Sequence, residues 1–165
     1  MRPWAIRTRE EAHLLNPAFC CVTMTLACAG YADVNARPMP FALSFLILPV
    51  VLHKNTRESL PRTSRTSMPA WLQQHGEARI GFSERLMALR AHTREAVRFG
   101  LEFDWMTVVS SGDLQRATSN AVIGRATRSL RGDARDCVSR ARFLGKWLAS
   151  AGSTATVMAL WGVRP

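Results

Sequence analysis

The chain has 165 residues, enough for one ordinary domain or two very small lobes, and 47% of them are hydrophobic. That apolar share excludes disorder throughout. The net charge is +10 and the pI about 11.1, a balance that favours polyanions, an anionic membrane surface or an acidic protein as contacts.

The charge is unevenly placed. Residues 1–53 hold four arginines against Glu10, Glu11 and Asp33, a net of +1, and residues 54–165 hold the remaining +9. Lys54 and Lys146 are the only lysines, so the basic character is almost all guanidinium. Cys20, Cys21, Cys28 and Cys137 show neither C-x-x-C spacing nor a neighbouring histidine pair, so buried free thiols in a reducing cytoplasm are expected, with no disulfide framework and no zinc site.

Thr8-Arg9-Glu10-Glu11 resembles a helix start with a capping box, and its charges argue against a secretory signal. The short helix should end before Asn16-Pro17, and Pro17 suits the first turn of the next. That second helix is predicted to reach about Ala29, with Gly30 as its stop. The run from Leu14 to Ala32 is uncharged for nineteen residues, long enough to be weighed as a membrane span. Asn16, Pro17, Thr23, Thr25 and several small residues favour a buried core helix instead.

Pro38 and Pro40 mark a loop. Residues 41–53 are ambiguous between strand and helix, and the leucine-rich second half favours a helix bent or started at Pro49. Residues 55–67 read as an exposed polar connector. The expectation is a single domain over 1–165, and the alternative division is an apolar helical lobe at 1–60 and a basic, winged-helix-like lobe at 67–165.

Ser67 is placed to cap a helix ending at Gly76, followed by helices at about 77–89 and 93–103. Trp105 to Val109 is β-prone, Ser110-Ser111-Gly112-Asp113 signals a turn, and Leu114 opens a returning strand. Helices leading into a hairpin suggest a winged-helix arrangement, its recognition helix running from His92 to Phe103. Residues 116–131 carry few structural signals. Asp133 is expected to cap a helix reaching about Ser150, and a last helix spans about 153–160. The expected fold class is therefore mostly α, a compact helical domain with one short β-hairpin.

Arg135, Arg142 and Lys146 fall on one helical stripe, and Arg116, Arg125, Arg128 and Arg131 lie just upstream. Together they form a candidate surface for nucleic-acid phosphates or an acidic partner; the alternative is an ordinary solvated basic face. In a winged helix, His92, Arg94 and Arg98 would face phosphate beside Glu95, Glu102 and Asp104, which is unfavourable. His53 and Arg57, four apart, are a candidate contact pair or, more simply, part of a capped helix end. Trp4 and Trp161, near the termini, are candidate partner anchors. Glu10 and Glu11 point in different directions on a helix and do not make an acid–base pair. Gly145-Lys146 lacks the upstream glycine of a phosphate loop, and no G-x-S-x-G, H-E-x-x-H or EF-hand pattern occurs. No catalytic, metal or cofactor residue is therefore assigned.

Trp4-Ala5-Ile6-Arg7-Thr8-Arg9-Glu10-Glu11-Ala12-His13-Leu14-Leu15-Asn16-Pro17-Ala18-Phe19 resembles the opening block of the middle components of bacterial three-component ABC systems. Phe45-Leu46-Ile47-Leu48-Pro49-Val50-Val51-Leu52-His53-Lys54-Asn55-Thr56-Arg57-Glu58-Ser59-Leu60-Pro61 is similar to that family's second block. Phe143-Leu144-Gly145-Lys146-Trp147-Leu148-Ala149 and Leu160-Trp161-Gly162-Val163-Arg164-Pro165 are similar to its ending. The resemblance implies a non-catalytic adaptor that couples an SMC-like ABC ATPase to an effector protein in anti-phage defence. In that setting Trp4, Glu10, Glu11, His53, Arg57 and Trp161 are the candidate partner-interface residues. The alternatives from the residues themselves are a stand-alone winged-helix DNA-binding protein and a small membrane-associated helical protein.

Overall fold

A computed structural model describes residues 15–164. Its eight described helices are α1 (Pro17–Asn35), α2 (Ser44–Val51), α3 (Lys54–Ser59), α4 (Met68–Gln74), α5 (Phe82–Glu102), α6 (Asn120–Thr127), α7 (Gly132–Ser150) and α8 (Thr154–Leu160). Between α5 and α6 lie β1 (Met106–Val108) and β2 (Leu114–Arg116), an antiparallel pair with Thr107 opposite Gln115. The fold is mostly helical with one hairpin, as expected from the sequence.

The organising element is α1. It packs most extensively against α7, and α5, β2 and α2 cover its other sides. Its residues Cys20 to Tyr31 are all buried, which is why it is apolar on every face. By length and composition alone it passes for a membrane span, yet 67% of that stretch lies inside the protein. Asn16 caps its start, its Oδ1 accepting from Ala18 N at 2.8 Å, with Pro17 in the first turn.

Gly30 does not stop this helix. It lies inside α1, which continues to Asn35 and ends at Ala36 with φ 49°. The glycine is needed for proximity: a Cβ at Gly30 would fall on the backbone carbonyl of Arg142, and one at Gly145 would fall on the carbonyl of Ala27. Each helix thus presents a glycine to the other's carbonyl, and the two backbones cross at a distance only glycine permits.

Residues 41–53 form a 3₁₀ turn (Phe41–Leu43) and α2, so the helical reading holds, with Pro49 inside the helix and not at its start. The connector at 55–67 is half helix: α3 buries Thr56 and Arg57, and the exposed stretch begins after Leu60. Tryptophan indoles fasten that stretch, Trp71 Nε1 donating to Ser59 O (3.0 Å) and Trp147 Nε1 to Thr66 O (2.7 Å). One buried cluster draws residues from both sides of it, including Met24, Leu46, Trp71, Phe82, Leu144 and Trp161.

The break expected near 90–92 is absent. A 3₁₀ turn spans Gly76–Arg79, and α5 then runs unbroken for 21 residues. Ala91, His92 and Thr93 contain no helix breaker, and Thr93 is buried in the middle of the helix, where packing holds it. The segment from His92 is therefore the second half of α5 and not a separate recognition helix. The hairpin turn is as expected, with Gly112 at φ 84° donating to Val109 O. Leu114 also exchanges two 2.8 Å backbone bonds with Met39, tying the hairpin to the loop after α1.

Substituting Gly30 or Gly145 by alanine should destabilise by about 1–3 kcal/mol, because the added methyl meets rigid backbone. Gly124→Ala, in open space on α6, should instead stabilise by about 0.4–1 kcal/mol. Thermal melts of the three variants check both signs.

Candidate interaction surfaces

Of the basic residues singled out in the sequence, Arg135, Arg142 and Lys146 lie on α7 and the others before it, and they are not equivalent. Arg142 and Lys146 both bind Asp33 at the end of α1, with Nη2 and Nζ at 3.0 and 3.3 Å from Oδ2. Burial alone raises the Asp33 carboxyl, but hydrogen bonds from Arg142 and Lys146 outweigh it and hold the group below its ordinary value. These two cations clamp α1 to α7.

Arg128, Arg131, Arg135 and Arg142 line one open groove of about 740 Å³, floored by Leu26, Ile123, Leu130 and Val138. Arg131 donates to the carbonyls of Arg128 and Leu130 in its own turn. Arg128 and Arg135 are exposed and have no carboxylate partner among the described residues. Arg125 is exposed nearby on α6, and Arg116 on β2 hydrogen-bonds Asn120 Oδ1. The helix α6, which the sequence did not announce, is capped by Ser119 and held through Ile123, its one buried residue.

Asp133 does not cap α7. The helix starts at Gly132 with Arg131 at the cap position and no side-chain cap. Asp133 instead lies 3.1 Å from Nη2 of Arg57, whose side chain is 3% exposed. Arg57 Nη1 donates to Val51 O (2.8 Å), and the Cys137 thiol donates to the same oxygen (3.2 Å). Arg57 Nε meets no acceptor, and Nη2 faces Asp133 outside hydrogen-bond geometry. Arg57 is therefore an internal tie between α2, α3 and α7, not a surface contact.

His53 caps α3. Its Nδ1 faces Thr56 Oγ1 at 2.7 Å and accepts weakly from Thr56 N at 3.4 Å. Burial first, and the nearby Arg85 guanidinium second, lower its pKa, keeping the ring neutral as an acceptor. Trp161 is 1% exposed and packs on Phe82 at 4.6 Å and Trp71 at 6.3 Å, so it belongs to the core. Trp4, Glu10 and Glu11 lie outside the described residues.

The four cysteines are buried and free. Burial pushes Cys21 up to about 11 and Cys28 to about 12, so these are inert thiols. Among the described residues no group of three or more His, Cys, Asp and Glu side chains is placed to hold a metal ion.

Arg90, Arg94 and Arg98 form an exposed row along α5, but Glu95 and Glu102 line the same cleft, as the mixed sequence foretold. A different surface was missed. At the end of α5 and on the hairpin, Phe103 is 54% exposed, and Val108 and Leu101 are exposed beside it in the chain. Phe103 also lines an apolar cleft with Phe19, Val22, Phe99 and Trp105. Contiguous exposed apolar patches mark contact sites, single exposed apolar side chains are ordinary, and no sequence period distinguishes either from core residues.

A family model described as ABC-three component (ABC-3C) system Middle Component 3 matches residues 4–165. No curated protein and no solved structure matches the chain.

Lowering the pH from 7 to 5 should weaken the α3 cap. The folded His53 pKa lies below the ordinary 6.5, so its contribution is full above that value and falls as protons bind. His53→Asn keeps a cap acceptor without titrating and should flatten this part of the melting-temperature profile. Asp33→Asn should cost no more than about 1 kcal/mol at neutral pH, since the pair is solvent-screened. That difference should be full above the ordinary carboxyl value of 3.8, shrink below it and vanish as the pH falls through the folded one.

Proposed function

The chain belongs to the Middle Component 3 family of ABC-three component systems, and from that premise we propose that it is a non-catalytic adaptor. In this reading it joins an SMC-like ABC ATPase to an effector protein in bacterial defence against invading nucleic acid. The observation that carries the reading is the family match over residues 4–165, which takes in the core helices, the hairpin and the basic face alike. ATP binding reshapes the ATPase, and an adaptor that prefers one of its states shifts the population only by its difference in affinity, about tenfold for each 1.4 kcal/mol. The exposed Leu101, Phe103 and Val108 support a protein contact at the hairpin end, since covering apolar area is favourable by roughly 25 cal/mol per Å².

Tagged protein co-expressed with its genomic neighbours should retain an ABC ATPase at moderate salt. Nuclease-sensitive DNA eluting with no protein partner would overturn the adaptor in favour of a stand-alone DNA-binding protein. Phe103→Ser should lower ATPase recovery about tenfold while leaving the melt nearly unchanged, because Phe103 is mostly outside the core.

A further inference from the structure

The groove between α6 and α7 has a chemistry that the adaptor reading does not use. Two of its arginines come from the link after α6 and two from α7, so four like charges converge on one concave surface. Like charges held together repel, and Arg128 and Arg135 gain nothing back from carboxylates among the described residues. The acidic residues of α7 are turned elsewhere. Asp133 faces Arg57, and Asp136 lines a neighbouring cleft with Arg57, Glu58 and Arg140, with Ser139 standing between that cleft and the groove. Arg135, Ser139 and Arg142 stand on the groove side, spaced by four and three residues along one helical face. Helix α7 therefore keeps its carboxylates off the groove, whose charged lining is arginine alone, while the neighbouring cleft mixes both signs.

The floor of the groove decides between two kinds of polyanion. An acidic amphipathic helix needs accessible apolar anchors. Here Leu26, Ile123 and Val138 are already buried and Leu130 is partly buried against them, so guanidinium groups and the hydroxyls of Thr127 and Ser139 make up most of what a ligand meets. No aromatic side chain lines the groove to stack a base. We propose that this groove binds the phosphodiester backbone of a nucleic acid, without reading its sequence. Arg142 lines the groove as well, while its Nε and Nη2 donate to Asp33. This inference stands apart from the adaptor reading, because it concerns the full chain without any partner.

The test is fluorescence anisotropy on the full-length protein, using duplex DNA and single-stranded RNA of about 20 nucleotides over a range of salt. Binding by either should be saturable at low salt and indifferent to sequence, and the tighter of the two names the source of the backbone. The double change Arg128→Glu with Arg135→Glu should weaken binding at least tenfold and reduce the salt slope by about 2. Arg62→Glu with Arg65→Glu alters the net charge by the same amount on an exposed loop and should change affinity less than about threefold. Arg128→Gln with Arg135→Gln gives the same comparison should the charge reversals fail to fold, as a melt will show. Equal loss in the groove and loop variants, absence of saturable binding, or tighter binding of a glutamate-rich peptide than of either nucleic acid would overturn the proposal.

Discussion

Helices α1 and α7 touch backbone to backbone, and much of the structure follows from that contact. Gly30 and Gly145 each leave room for a carbonyl of the opposite helix, so the crossing admits one close register. A helix gripped this tightly on one side, and covered by α5, α2 and β2 on the others, has no face left for water between Cys20 and Tyr31. The lack of charge in α1 as far as Ala32 thus matches its place in the fold. The same register carries Asp33 to Arg142 and Lys146, an ion cluster that matches ends already brought together by packing.

The crossing also decides which residues of α7 face outward. With Ala141, Leu144, Gly145 and Leu148 turned into the core, the remaining faces differ, and the carboxylates of α7 lie on one of them only. On one, Asp133 meets a guanidinium that is almost wholly buried; on the other, arginines gather over an apolar floor. Arg57 illustrates how expensive burial of charge is tolerated. It is tied to Val51 O and to a partly exposed carboxylate, so water reaches one end of the pair.

Local signals in the sequence were dependable where the chemistry was local. Ser67, read as a cap, accepts from Ala70 N and caps its helix, and Asn16 and Ser153 do the same where the sequence marked only a helix boundary. The Ser110–Asp113 turn forms because Gly112 supplies a positive φ that few residues adopt. Signals with two meanings were less so. A glycine after an apolar run marks a helix end or a close approach, and Gly30 proved to be the second. An aspartate before a helical pattern marks a cap or an ion pair, and Asp133 chose Arg57. The length of α5 was hidden because Thr93 is a poor helix former until tertiary contacts bury it.

The sequence by itself determined that the chain is mostly helical around an apolar N-terminal segment, that one hairpin interrupts it, and that its positive charge gathers in the last two-thirds. These depend on composition, period and turn chemistry, which are properties of neighbouring residues. Only the tertiary structure decided which arginines are neutralised, which are buried and which stand together over a groove. Asp33 and Arg142, or Arg57 and Asp133, are far apart in the chain, and their meeting depends on how α1, α3 and α7 are packed. Charge can be counted along a sequence, but its partners are chosen in space.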